Sequence, residues 1–285
     1  MVEPSYIKII STIIPFKILK TDRHSNMGNI YTDAGAGDTL VFLHGFCESK
    51  QVWAEFVAPL QQQFRIITLD LPGHGDNTAS SSPYTMESLA DEVKQRLDDL
   101  GVKKCLLVGH SMGGYVSMAF AEKYGHMLRG LCLFHSSALP DTDEKKESRT
   151  KSIDFVERHG VTSFVNPLIE PLFYAGNRDH LQQEIEMMKE IGRQPPQAAV
   201  VSALAAMRDR PNRAHVLQEA TYPVQFIFGK DDTAVPLDKA LEQCHLPDYS
   251  TALFLGKTGH MGMFERTAET RKALVKFAET VFELE

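Results

Sequence analysis

The pentapeptide Gly109-His110-Ser111-Met112-Gly113 is where residue types and spacing most directly suggest chemistry. It follows the apolar run Cys105-Leu106-Leu107-Val108 and precedes a stretch in which Met112, Val116, Ala119, Phe120 and Tyr124 recur at helical spacing. A serine between glycines at a sharp strand-to-helix turn is forced into a strained backbone conformation, with space on both sides for the neighbouring chain. Its hydroxyl then projects above the sheet at a helix N-terminus, where backbone N–H groups favour developing negative charge. Ser111 is therefore a candidate nucleophile, and Gly114 extends the small-residue patch against the sheet.

Such a serine needs a sheet to stand on, and the chain supplies one. Apolar runs rich in branched residues occur at Thr39 to Leu43, Arg65 to Leu71, Lys104 to Gly109, Leu128 to His135, Val224 to Gly229 and Thr251 to Leu255. Amphipathic stretches at Ser49 to Gln63, Thr85 to Leu100, Met112 to Tyr124, Leu237 to Cys244 and Glu265 to Phe282 alternate with them. This pattern predicts an α/β fold with a mostly parallel sheet flanked by helices. Between His135 and Val224 the alternation fails for about 85 residues, too long for a single crossover. Apolar residues there recur at three- and four-residue spacings over Asp143 to Arg158, Thr162 to Tyr174, Arg178 to Ile191 and Pro196 to Met207. Breaks fall at Gly160, Ala175-Gly176-Asn177, Gly192 and Pro195-Pro196. We read residues 139–215 as a helical cap inserted at the C-terminal edge of the sheet, where open α/β folds bind ligands. An enlarged helical layer without a pocket is the alternative. Residues 1–138 and 216–285 are expected to form the core. The apolar segment Ile7 to Leu19 reads as strand material, and Ser80-Ser81-Ser82 as a turn.

The strand–Gly-His-Ser-Met-Gly–helix arrangement resembles the α/β-hydrolase superfamily, in which the nucleophile is followed by an acid and then a histidine. Of the eleven histidines, His245 and His260 follow the Val224 strand. His245 precedes Leu246-Pro247 at a helix end, whereas His260 lies in the flexible run Gly256-Lys257-Thr258-Gly259-His260-Met261-Gly262, which suits an imidazole that must reach Ser111. Gly229-Lys230-Asp231-Asp232-Thr233-Ala234-Val235-Pro236 resembles the family's G-x-x-D-x-x-x-P loop, and that offset selects Asp232, with Asp231 beside it as the alternative. A family variant carries the acid after the preceding strand, but this chain has Ser136-Ser137-Ala138 there. His44-Gly45-Phe46 resembles the family's oxyanion loop, so the backbone N–H groups of Phe46 and Met112 are the expected donors to a tetrahedral intermediate. The resemblance leaves structural roles for His44 and for His74, which lies in the family-like turn Leu71-Pro72-Gly73-His74-Gly75. Cys47 and Trp53 read as core residues.

The resemblance implies a serine hydrolase acting on a small carboxylic ester, lactone or thioester through an acyl-enzyme, on the esterase and enol-lactonase side of the superfamily. A serine at position 111 argues against the branches that use an aspartate nucleophile. Hydrolysis of a carbon–carbon bond in a diketone, or ligand reception without turnover, are the alternatives on the same fold. Composition narrows the partners. Across 285 residues, 43% are hydrophobic and 24% charged, and the formal net charge is −7 with no basic run, which excludes nucleic acid as an expected partner. No run approaches the roughly 18 apolar residues of a membrane span. The four cysteines form no C-x-x-C pair, which fits a reducing, cytoplasmic setting. Neither metal-ligand spacing nor a nucleotide-binding loop is present, so no cofactor is expected.

Overall fold

The computed structural model describes residues 30–78 and 83–284, so the readings of Ile7 to Leu19 and Ser80 to Ser82 lie outside the described residues. The strands are β1 (Tyr31–Ala34), β2 (Thr39–Leu43), β3 (Arg65–Leu69), β4 (Cys105–His110), β5 (Leu128–Phe134), β6 (Val224–Gly229) and β7 (Ser250–Leu255). They form one sheet in the order β1-β3-β2-β4-β5-β6-β7. Among the described strands only β1 runs antiparallel, against β3. Because β3 lies on one side of β2 and β4 on the other, the chain reverses its winding at β2, and the crevice above that reversal is where doubly wound sheets bind ligands.

The helices are α1 (Ala54–Val57), α2 (Met86–Asp99), α3 (Met112–Tyr124), α4 (Asp143–Ile169), α5 (Gln182–Gly192), α6 (Gln197–Asp209), α7 (Ala214–Gln218), α8 (Leu237–Leu241), α9 (Gly262–Glu265) and α10 (Thr267–Glu283). Strands β2, β4 and β6 are buried along their whole length, as a parallel sheet covered on both faces requires. Helix α3 is buried from Met112 through Ala121, well beyond the single stripe its periodicity suggested, because α2 packs on the side turned away from the sheet.

The structure redraws several sequence-based boundaries. The helix expected over Ser49 to Gln63 is two 3-10 turns, Lys50–Trp53 and Ala58–Gln62, flanking α1. Pro59 has no N–H to continue the ladder, but Trp53, Phe56, Val57 and Leu60 still reach the core. The break expected at Gly160 is a kink inside α4, where φ is 78°. The last helix begins in two pieces, α9 and α10, separated at Arg266. Strand β1 has no apolar run to announce it. It is held by pairing with β3, by the Arg65 Nη2 to Asp33 Oδ2 contact at 2.7 Å and by a 2.7 Å hydroxyl contact between Thr32 and Thr68. No helix among the described residues is long and apolar enough to cross a membrane.

Residues from α4 to α6 form the helical segment between β5 and β6, and polar contacts tie it to the core. Tyr84 donates its N–H to Ser202 Oγ at 2.9 Å and its hydroxyl to the Ala199 carbonyl at 2.8 Å. Arg213, just past α6, pairs with Glu122 at 3.0 Å and with Glu87.

One glycine decides how closely α3 approaches the sheet. A Cβ at Gly113 would stand 2.6 Å from the carbonyl oxygens of both Leu43 and His44. These are backbone atoms at the end of β2 and cannot rotate away. We expect Gly113→Ala to cost about 2–3 kcal/mol in urea-monitored unfolding, the range for forced overpacking.

Candidate active site

Strand register assembles the site before any side chain is considered. Leu43 pairs with Gly109, so His44-Gly45 leaves β2 beside His110, and His110 pairs with Phe134, so Ser111 leaves β4 beside His135. Gly229 pairs with Leu255, which sets the loop after β6 against the loop after β7. The Lys230 and Asp231 N–H groups donate to the carbonyls of Leu255 and Thr258, at 2.8 and 3.0 Å.

Ser111 adopts φ 50° and ψ −117° at the first turn of α3. For a residue with a side chain this region costs on the order of 1–3 kcal/mol, and it persists where surrounding contacts fix it. Here Ser111 N–H donates to the Phe134 carbonyl at 3.1 Å, and Ser136 Oγ donates to the Ser111 carbonyl at 2.7 Å. Among the described residues, neither the Phe46 nor the Met112 backbone N–H donates to a protein acceptor. For Met112 this is the ordinary state of the first helical residue.

The structure brings Asp232 and His260 together. His260 Nδ1 lies 2.8 Å from Asp232 Oδ2, and both residues are buried. Asp232 Oδ1 accepts the N–H groups of Ala234 and Val235 at 2.8 and 3.0 Å. Asp231 is exposed and turns away, which separates the two adjacent carboxylates. Sequence reasoning missed His135, which is fully buried at φ 49° and places its own Nδ1 3.0 Å from the same Asp232 Oδ2. A carboxylate only accepts, so both imidazoles present Nδ1–H to it; the Gly229 N–H, 3.3 Å from His135 Nδ1, then meets a second donor there, and Nε2 of His260 is left as that ring's basic nitrogen. Nε2 of His135 has no partner and faces Gly262, where a Cβ would come within 2.3 Å of it. The donor atoms of His135, Asp232 and His260 all lie within 4.8 Å of one another, and the two N–H donors engage the Oδ2 lone pairs that a cation would otherwise take.

Electrostatics follow from these partners. Burial alone would push the Asp232 carboxyl up, but the charge of His260 and the hydrogen bonds from both histidines outweigh it and hold the group well below the usual carboxylate range. Burial pushes His135 down to about 4 against the pull of Asp232, so it is neutral at physiological pH. Cys47 is fully buried and its thiol is pushed far up by burial, in keeping with a core residue. His44 accepts the Leu71 N–H at Nε2, 3.0 Å away, and His74 is pushed down to about 3 by burial, both as structural groups.

A second pair underlies the first. Glu48 Oε2 accepts the Gly45 N–H at 2.6 Å and lies 3.0 Å from His110 Nδ1, while His110 Nε2 lies 3.0 Å from the His260 carbonyl oxygen. Both His110 nitrogens therefore face acceptors, the requirement of an imidazolium. Burial opposes that charge, yet Glu48 and the His260 carbonyl overcome it and raise His110 above its ordinary 6.5. Burial likewise opposes the Glu48 charge, and His110 outweighs it and holds the carboxyl below 4.5. Neither residue stood out in the sequence, because each acquires its role from a partner 62 positions away.

A serine on a strained strand-to-helix turn, with a carboxylate after β6 and a histidine after β7 on a sheet wound both ways, defines an α/β-hydrolase architecture. The chain belongs to the alpha/beta hydrolase fold family, whose model matches residues 38–267. Among curated proteins it is similar to a 2-hydroxy-6-oxononadienedioate/2-hydroxy-6-oxononatrienedioate hydrolase of Paraburkholderia phymatum, 28% identical over 87% of this chain and 89% of that protein. Among solved structures it is similar to a thermophilic esterase from Thermogutta terrifontis, with TM-score 0.84 and 28% identity over 88% of this chain and 93% of the other. The enol-lactonase of Burkholderia xenovorans shares the fold, with TM-score 0.82 at 20% identity over 87% and 95% of the two chains.

The Glu48–His110 pair carries a pH signature. A raised imidazole stabilises the fold fully below its unfolded value and loses that contribution as pH rises through the folded one; a depressed carboxyl does so above its unfolded value. The pair's stabilisation is therefore complete between about 4.5 and 6.5. Glu48→Gln, which strands a buried imidazolium, should cost about 3–5 kcal/mol at pH 6 and progressively less toward pH 9. Denaturant melts of both proteins across that range measure the gap; a gap that widens with pH would contradict the pairing.

Proposed function

We propose that this protein is a serine hydrolase of small carboxylic esters, lactones or thioesters, with Ser111 as nucleophile, His260 as general base and Asp232 as the acid that orients it. The observation carrying this reading is the buried His260 Nδ1 to Asp232 Oδ2 hydrogen bond, in a chain whose Ser111 is strained at the adjacent strand end. Ser111 Oγ attacks the carbonyl carbon while its proton passes to His260 Nε2, and Asp232 stabilises the imidazolium so formed. The Phe46 and Met112 N–H groups, having no acceptor among the described residues, receive the developing oxyanion. Collapse breaks the bond to the leaving group, which takes the proton from His260 and leaves an acyl-serine. Water then attacks the acyl carbon, its proton passing through His260 back to Ser111 as the carboxylic acid departs. The helical segment of residues 139–215 serves as a cap over the site, and Phe164 stands beside Phe46 with ring centroids 6.2 Å apart. Four free cysteines, three of them buried, suit a cytoplasmic setting.

Carbon–carbon bond hydrolysis of a diketone is the second reading, favoured by relatives named as 2-hydroxy-6-oxononadienedioate/2-hydroxy-6-oxononatrienedioate hydrolases at 26% to 28% identity. A p-nitrophenyl ester assayed beside a chromogenic dienoic diketone separates the two. In either case Ser111→Ala should lower kcat by roughly 10⁴-fold and abolish covalent labelling by a fluorophosphonate. Retained turnover in that variant would sink the assignment.

His135 enters the same reading as a positioning residue. Its N–H competes with His260 for Asp232 Oδ2, so removing it makes Asp232 a stronger partner for the imidazolium. His135→Phe should move the acid limb of the kcat/KM profile upward by about one pH unit or less. His135→Asn, which keeps a donor, should restore the wild-type limb; an unmoved limb in the Phe variant would mean that His135 only fills space.

A further inference from the structure

A cleft of about 280 Å³ opens where the start of α4 meets the loop carrying Asp232. Its walls are mostly apolar, with Tyr115, Leu139, Pro140, Val235 and Pro236 among them, and its charges are unevenly matched. Asp141 at its base is held by Arg149 and, at 2.7 Å, by Arg210. Arg210 spends its two terminal nitrogens on structure, while its buried Nε has no partner. It donates to the Met207 and Leu139 carbonyls at 2.6 and 3.1 Å and lies over the Tyr115 ring, 3.8 Å from its centroid. At the rim, Lys239 pairs with Glu242, and Asp238 beside it adds a carboxylate to the lining.

Lys145 alone among the described cations lining this cleft has neither a carboxylate nor a hydrogen-bond acceptor on its ammonium. Its acidic neighbours are Asp141 and Asp232, the first shared by two arginines and the second by two histidines. Burial, with Arg149 and Arg210 adding like charge, pushes its ammonium below the usual lysine value. A half-buried cation among cations is costly unless an anion joins it. Lys145 also sits in the first turn of a long helix capped by Thr142, so the helix field favours negative charge at the same spot.

We propose that this cleft is a carboxylate subsite, in which Lys145 holds the anionic end of a ligand and Tyr115, Leu139 and Val235 flank its hydrocarbon part. This names a substrate class for the proposed hydrolase, an ester or diketone that also carries a free carboxylate, and it rests on that reading for turnover but not for binding. The cleft shares Ala234 and Val235 with the loop whose N–H groups hold Asp232, so a ligand seated there borders the loop that carries the proposed acid.

The probes are hexanoate and its uncharged counterpart hexanamide, titrated calorimetrically into the full-length protein. Hexanoate should bind wild type more tightly than hexanamide does. That preference should fall about tenfold in Lys145→Met and return in Lys145→Arg, since hydrogen bonds to charged groups are worth that much. In turnover, the preference for mono-p-nitrophenyl adipate over p-nitrophenyl hexanoate should fall and recover in the same order. Equal hexanoate binding by wild type and a folded Lys145→Met variant would overturn the subsite, as would a wild type that does not distinguish the two probes. Absence of all esterase turnover with hexanoate binding intact would count against the hydrolase reading and not against the subsite.

Discussion

The geometry at the upper edge of the sheet is governed by one buried carboxylate. Asp232 is only 5% exposed, and an unpaired charge there would cost several kcal/mol. Its two oxygens accept from His135, His260, Ala234 and Val235. Those donors come from the end of β5, from the loop after β7 and from its own loop, so three chain segments must converge on one point for the charge to be tolerated. The strain at Ser111 belongs to the same constraint. The β5–β6 register brings His135 to Asp232, and the β4–β5 register next to it fixes the Ser111 N–H on the Phe134 carbonyl and leaves the chain a single tight path into α3.

The Glu48–His110 pair extends this arrangement to the other side of Ser111. His110 immediately precedes Ser111, donates to the backbone of His260 and takes its counter-charge from the loop that follows His44. The Gly45 N–H is bound to the same carboxylate oxygen. The expected oxyanion loop, the elbow and the histidine loop are thus held by one buried ion pair, whose two members each need the other to remain charged. Replacing either by an apolar residue of similar volume could preserve packing, but it would release three loops from a common reference.

Much of this was legible from the sequence. The apolar strand runs match the observed strands within about two residues because strands buried on both faces need continuous apolar runs. Ser111, Asp232 and His260 were legible because each sits in a local motif whose glycines and prolines mark the turn. Other features carry no such local sign. Strand β1 has a half-exposed, mixed pattern, and only pairing with β3 makes it a strand. His135 and Glu48 lie in short polar stretches after β5 and β2 and belong to no motif, and their partners lie 97 and 62 positions away. The broken helix after Ser49 follows from Pro59, which was visible, but the buried positions keep helical spacing and so concealed the interruption.

The helical segment between β5 and β6 is bound to the side of the core that carries Asp232 and His260 more directly than an insertion at a sheet edge requires. His260 N–H donates to the Leu172 carbonyl at 2.6 Å, and Asn177 donates to the Lys257 carbonyl at 3.0 Å. Glu265 bridges the two parts, accepting from Tyr174 N–H at 2.8 Å and from Asn177 at 2.9 Å with one oxygen, and from Gly259 N–H at 2.9 Å with the other. Swinging the whole segment away would therefore strip the histidine loop of the partners that fix its backbone, and with them the orientation of His260 toward Asp232. Any opening compatible with a preserved site must leave the Leu172–Asn177 end in place. Movement is then confined to the parts of the segment beyond that anchor, and its geometry is set by the same loop that carries the imidazole.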